Sequence, residues 1–263
     1  MVRVANVEFG GREIVLIAGP CAVESRAQIQ AAADCAVACG AQLLRGGGYK
    51  VRTSATSFQG LGLEGYRLLH EAAAARGLLS VSEVLSGEQV DEAVPLVDVL
   101  QVGTRSMQSV PLLKAAGRSG RPMLLKRGFG SRIDEWLAAA EYILNEGNPN
   151  VVLCERGIRT FETATRFTLD VAAIPIAKER TGLPVIVDPS HASGDRRYVT
   201  ALTLAGIAAG ADGVMLEVHP SPEAALSDGP QSLTPDGLRA LVAAAAPVAQ
   251  ALGRTFGRAT SLP

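Results

Sequence analysis

The chain has 263 residues, 48% of them hydrophobic, with 25 Lys and Arg against 26 Asp and Glu for a formal net charge of -1. That length and apolar fraction supply one large core and exclude general disorder, and the balanced charge excludes a global field that would draw in nucleic acid or a membrane surface. Aromatic residues make up only 4%, and four cysteines, Cys21, Cys35, Cys39 and Cys154, are too few and too scattered for a disulfide framework.

In chain order, Val2 to Phe9 followed by Gly10-Gly11 reads as a strand and tight turn ahead of the main body. It is expected to act as a hairpin closing the lower end, with residues 1–13 set apart from a catalytic unit at 14–263. Short Val, Leu and Ile runs then alternate with longer Ala-rich patterns of helical period. Strands are expected at Ile14 to Ala18, Gln42 to Arg45, Leu78 to Ser82, Val97 to Val102, Met123 to Lys126, Val151 to Cys154, Val185 to Val187 and Gly213 to Glu217. Helices are expected at Arg26 to Cys39, Leu63 to Arg76, Gly87 to Val94, Met107 to Ala116, Ile133 to Glu146, Thr168 to Arg180, Val199 to Ala209 and Pro235 to Leu252. Gly40, Gly77, Gly117, Gly147, Gly182 and Gly210 fall where these helices should stop. Eight βα units in this length predict an α/β fold of the (β/α)8 TIM-barrel type, with a doubly wound open sheet as the alternative. Leu241 to Leu252 is too short to span a bilayer and carries Pro247, and the first residues lack the apolar run of a secretory signal, so a cytoplasmic location is expected.

In a barrel of this type the residues just beyond the strands build the active site. Here those residues are polar almost without exception: Gly19-Pro20-Cys21, Arg45 with Lys50 and Arg52-Thr53, Glu83, Thr104-Arg105, Lys126-Arg127, Glu155-Arg156, Asp188 to His191, and Glu217 with His219 and Asp228. Arg45, Lys50, Arg52, Arg105, Lys126 and Arg156 form a cationic side suited to phosphate and carboxylate oxygens, and so many cations call for more than one anionic group. Cys21, His191, Glu217 and Asp228 come together only if the last strand closes on the first. One thiolate, one imidazole and two carboxylates would then make a donor set that admits Zn, Mn, Fe or Co. Taken singly, Cys21 reads as a buried inert thiol and His191 as a hydrogen-bonded core residue. His219 reads either as support for this cluster or as a rim residue. Cys35, Cys39, Cys154, Trp136, Met107 and Phe161 read as packing, and Gly46-Gly47-Gly48 lacks the spacing of a nucleotide-binding loop.

Several segments carry a resemblance along nearly the whole length: Ala18 to Ser25, Leu44 to Lys50 with Arg52 to Ser54, Gln101 to Arg105, Leu153 to Thr160, Val187 to His191, and Glu217 to Pro220 with Leu226 to Leu233. In these the chain resembles the type I beta family of 3-deoxy-D-arabino-heptulosonate 7-phosphate (DAHP) synthases. The resemblance implies a metal-dependent, aldol-type joining of phosphoenolpyruvate to erythrose 4-phosphate, the first step of the shikimate pathway. It implies Cys21, His191, Glu217 and Asp228 as ligands of one divalent ion per subunit. Arg105, Lys126 and Arg156 would hold the phosphate of phosphoenolpyruvate, and Arg45, Lys50 and Lys126 its carboxylate. Arg52, Thr53 and Ser54 would receive the aldose phosphate, Thr104, Glu155 and Asp188 would complete the substrate site, and Lys50 or Lys126 would protonate the new alkoxide. The related 3-deoxy-D-manno-octulosonate 8-phosphate synthases share the barrel and the Cys-Glu-Arg-Gly segment but differ at Lys50 to Thr53, which favours the four-carbon acceptor. A non-catalytic sugar-phosphate-binding barrel is a further alternative, disfavoured by the complete set of cations and ligands. The family's habit implies a homodimer or homotetramer. This stretch carries neither a ferredoxin-like nor a chorismate mutase domain, so the expectation is activity without domain-mediated feedback by aromatic amino acids.

Overall fold

The computed structural model describes residues 1–51 and 56–257. Its elements follow one another as β1 (Val2–Val4), β2 (Val7–Phe9), β3 (Glu13–Gly19), α1 (Arg26–Ala38), β4 (Leu43–Arg45), α2 (Leu63–Ala74), β5 (Leu79–Val84), α3 (Gly87–Ala93), β6 (Val99–Val102), α4 (Val110–Arg118), β7 (Met123–Lys126), α5 (Ile133–Leu144), β8 (Val151–Glu155), α6 (Ala173–Thr181), β9 (Val185–Val187), α7 (Pro189–Ser193), α8 (Arg196–Ala208), β10 (Gly213–Glu217), α9 (Pro235–Ala251) and β11 (Thr255–Phe256). Strands β3 to β10 pair in parallel in sequence order, and β10 pairs back onto β3, with Gly213 opposite Val15 and Glu217 opposite Gly19. The sheet is therefore the closed eight-stranded barrel of a (β/α)8 fold, not the open alternative. β11 adds a short parallel pairing at the lower end of β3.

Side chains alternate across each strand, and this sorts the core into two parts. Leu16, Leu44, Leu100, Leu125, Leu153, Val187 and Leu216 face outward and pack against the helices. Val15, Ile17, Leu43, Val81, Val99, Leu124, Val152, Ile186 and Met215 face inward, where they meet Val2, Val4, Val7 and Phe9 of the β1–β2 hairpin. The hairpin thus seals the lower end, but the turn lies elsewhere than expected. Val2 to Phe9 is not one strand: it folds on itself between Val4 and Val7, with Ala5 at φ 50°, and Gly10-Gly11 only leads into β3.

Several helix limits also move. Met107 precedes α4, its sulfur accepting the Gly128 N–H at 3.0 Å, and α4 itself starts at Val110 behind Ser109. Gly117 is not a helix stop but an interior position of α4. A Cβ there would lie 2.9 Å from the Ile143 carbonyl oxygen, so the glycine lets α4 and α5 approach, and the left-handed stop falls at Gly120. The helix expected from Thr168 begins at Ala173, because the Thr168 backbone N–H and C=O are both spent at 2.9 Å on an antiparallel bridge with Ile158.

Candidate active site

The same alternation decides which strand-end charges reach the mouth. Lys126 faces inward, whereas Arg127, one residue later, faces the helices, where one terminal nitrogen lies 2.9 Å from both Glu155 and Asp170 and the guanidinium lies over Trp136. Arg45, Lys50, Thr104, Arg105, Lys126, Arg156 and His191 line one cavity, together with Glu83, Gln101, Phe129 and Arg166. Glu155 does not line it: its carboxylate is occupied by Arg127 and by the Gly157 N–H at 2.7 Å. Arg52, Thr53 and Ser54 lie outside the described residues.

On one side of the mouth three guanidiniums, those of Arg105, Arg156 and Arg159, lie over the Phe129 ring. Arg105 and Arg156 lie 5.2 and 5.3 Å from the Phe129 ring centre, and Arg156 also lies 4.2 Å from that of Phe167. Burial pushes Arg156 down to about 10. Its Nε is the only buried side-chain polar atom without a hydrogen bond among the described residues. A buried, unsatisfied cationic donor is costly unless an anion meets it.

On the other side, β3 and β10 bring the two ends of the chain together. Gly19, at φ +149°, runs so close to β4 that a Cβ would lie 2.2 Å from the Arg45 carbonyl oxygen, and this contact sets Cys21 over the barrel. Cys21, His191, Glu217 and Asp228 each offer a ligand atom within 4.8 Å of the others. Asp188 caps α7 by accepting the His191 N–H at 3.0 Å, and its other oxygen lies 2.7 Å from His191 Nδ1 and 2.5 Å from Lys126 Nζ. Burial would raise Asp188, but His191 and Lys126 outweigh it and hold the carboxyl well below the usual range. Its charge keeps the imidazole proton on Nδ1 and leaves Nε2 bare.

That bare nitrogen lies 3.1 Å from Glu217 Oε1. Burial pushes His191 down to about 4, so at neutral pH two lone-pair atoms abut. Burial also pushes the Cys21 thiol up to about 12, reinforced by Glu217. Lys50 Nζ lies 2.6 Å from Cys21 Sγ and 3.0 Å from Asp228, and it holds the Asp228 carboxyl far below its ordinary value although burial works to raise it. An acceptor pair facing itself, beside a thiol that burial keeps protonated, is an arrangement that a divalent cation relieves, so the four residues fit the metal expected of them. Glu217 is held from outside by Arg45 at 2.9 Å and Gln231 at 2.7 Å.

Some residues of this site left no local mark in the sequence. Gln101 was readable from its inward position at the end of β6. Arg166 and Gln231 sit in loops, bonded to each other at 3.1 Å across 65 residues, and only the folded chain joins them. Phe161, expected to pack, is instead 98% exposed beyond β8. His219 does not line the mouth, and its Nε2 lies 3.3 Å from Glu24 Oε2.

A profile of the DAHP synthetase I family matches residues 3–252. The chain belongs to that family. Among its relatives, the phospho-2-dehydro-3-deoxyheptonate aldolase of Thermotoga maritima is 47% identical over 253 residues, covering 96% of this chain and 75% of that protein. The 2-dehydro-3-deoxyphosphooctonate aldolase of Syntrophotalea carbinolica is more distant, at 34% identity over 90% of this chain and 92% of its own. The crystal structure of the Thermotoga DAHP synthase superposes with a TM-score of 0.95 at 45% identity, covering 97% of this chain and 75% of that one. A truncated form of the same organism's enzyme gives 0.91 at 43%, covering 97% and 94%. The family assignment covers both sides of the mouth, since the cationic and the metal-donor residues all fall inside the matched span.

Proposed function

We propose that the chain is a DAHP synthase that condenses phosphoenolpyruvate with erythrose 4-phosphate and water, releasing DAHP and inorganic phosphate. One observation carries the reading: Arg105 and Arg156, the latter with an unsatisfied buried donor, line one cavity with His191, a member of a four-residue metal-donor cluster. An anion-binding half and an electrophile-activating half are what a phosphorylated enol and an aldehyde require.

Arg105 and Arg156, both beside Phe129, would take the phosphate of phosphoenolpyruvate. Arg45 and Lys126, each tied to a carboxylate behind it, would fix the substrate carboxylate and hold the enol C3 toward the donor cluster. Glu155 would act at one remove, orienting the β8 end through the Gly157 N–H rather than touching substrate. Cys21, His191, Glu217 and Asp228 would hold one divalent ion, Mn, Zn, Fe or Co, which when bound supplies a Lewis acid for the aldehyde oxygen. Of the two lysines considered as proton donor, Lys50 is the one beside this cluster. Lys126 is committed to Asp188, so Lys50 would protonate the alkoxide formed at the aldehyde carbon. Water adds at C2 of the enol-derived centre, and the tetrahedral phosphohemiketal collapses with loss of phosphate. Arg52, Thr53 and Ser54 would receive the acceptor's phosphate. None of the described helices is long and apolar enough to cross a membrane. A cytoplasmic homodimer or homotetramer is the matching cellular form.

The test offers metal-stripped protein phosphoenolpyruvate with erythrose 4-phosphate or arabinose 5-phosphate, adds divalent ions back singly, and follows phosphate release. Release that needs both an added ion and erythrose 4-phosphate is expected. Preference for the five-carbon acceptor would move the chain to the octulosonate reaction.

A further inference from the structure

Asp228 reaches Cys21 on a loop that leaves β10, and a single acid outside the mouth fastens that loop at its start and again near Asp228. Glu24 stands three residues beyond Cys21 on the segment leaving β3. Its Oε1 accepts the Leu226 backbone N–H at 2.9 Å, two residues before Asp228, and its Oε2 lies 3.3 Å from His219 Nε2. His219 Nδ1 accepts the Ser221 N–H at 3.0 Å, which assigns the ring proton to Nε2, pointing at the carboxylate. The Glu24 and His219 side chains are only 10% and 6% exposed, so water competes little for the contact between them, while the Leu226 bond lies at the surface. Asp228 itself sits at φ 53° and ψ 31°, a left-handed conformation that a non-glycine residue keeps only where its surroundings hold it. Neither Glu24 nor His219 lines the mouth cavity.

We propose that Glu24 is a positioning residue for the metal site: acting through His219 and the Leu226 backbone, it holds Asp228 against Cys21 so that the four donors are set before the cation arrives. Glu24 and Cys21 share one short segment, so the thiol and the anchor of its partner acid move as a unit. The inference rests on reading Cys21, His191, Glu217 and Asp228 as metal ligands.

The experiment titrates cobalt(II) into the metal-free full-length wild-type chain and the variants Glu24→Ala, Glu24→Gln and His219→Ala. It follows the thiolate-to-cobalt charge-transfer band, which reports the Cys21 contact directly, and measures KM for phosphoenolpyruvate at saturating cobalt. Loss of a support behind a ligand weakens metal affinity roughly 10–100-fold, and that is the expected result for Glu24→Ala. Glu24→Gln should fall between it and the wild type, because its amide oxygen still accepts the Leu226 N–H, and KM should not change. If Glu24→Ala does not fold, His219→Ala, which removes one of the two fastenings, decides the matter by the same criterion. Wild-type cobalt affinity in the folded variant overturns the positioning role and leaves the ligand reading standing, as does a weakened affinity accompanied by an equal rise in KM. A wild-type chain without the charge-transfer band overturns the ligand reading and the positioning role with it.

Discussion

The lower and upper halves of the barrel interior are built by the same strands with the same inward alternation, yet they share almost no chemistry. Below, Val15, Leu43, Val81, Val99, Leu124, Val152, Ile186 and Met215 close on the β1–β2 hairpin with almost no exposed surface. One inward step higher, Arg45, Glu83, Gln101, Lys126, Asp188 and Glu217 replace them, most of them tied in ion pairs or hydrogen bonds. A strand rises about 3.3 Å per residue, so two residues, or roughly 7 Å, separate a sealed apolar layer from a charged one. The lower layer contributes stability and a rigid floor, and the upper layer carries charge that only ligands complete. The two halves should therefore fail in different ways when altered.

The largest effect is expected above. Cys21→Ala should lower kcat/KM by at least about 10³-fold, about 4 kcal/mol, with the melting temperature little changed, as read by phosphate release beside thermal unfolding. Large loss of both would place Cys21 in the stability half instead. Phe9, 1% exposed in the hairpin, is the counterpart below. Phe9→Ala should cost about 3 kcal/mol in denaturant unfolding while the folded fraction keeps its turnover number. Arg156→Ala should lower kcat/KM for phosphoenolpyruvate about 10²-fold, about 2.7 kcal/mol, because the buried guanidinium with an unsatisfied donor is lost from the cationic side. The effect should fall on KM more than on the metal titration, which separates the cationic side of the upper layer from the donor side. The smallest change is expected outside both halves: Phe161→Ser should alter stability by less than about 0.5 kcal/mol. A larger shift would mean that this exposed ring packs against something in solution.

What could be read in advance follows the reach of each physical signal. Strand positions were legible because apolar runs between glycine stops repeat locally, and Met123–Lys126, Val185–Val187 and Gly213–Glu217 lie where expected. The inward or outward sense of adjacent charges was legible only in principle. Lys126 and Arg127 look alike in sequence, and the pleat alone sends one to Asp188 and the other to Glu155. Gly117 misled because a glycine that makes room for a neighbouring helix looks like one that ends its own. Glu24 and Gln231 fall in segments that carry the resemblance, but their contacts were not legible because their partners lie elsewhere in the chain: Glu24 meets His219 across 195 residues, and Gln231 is chosen by the position of Glu217 rather than by its own neighbours.

The hairpin floor has a consequence for traffic. Among the described residues the β1–β2 hairpin packs against the inward apolar layer, so the lower end of the barrel is stoppered and the polar cavity lies at the other end. A vessel stopped below leaves the approach of both substrates to the upper loops, so changes to the floor should alter stability before they alter access.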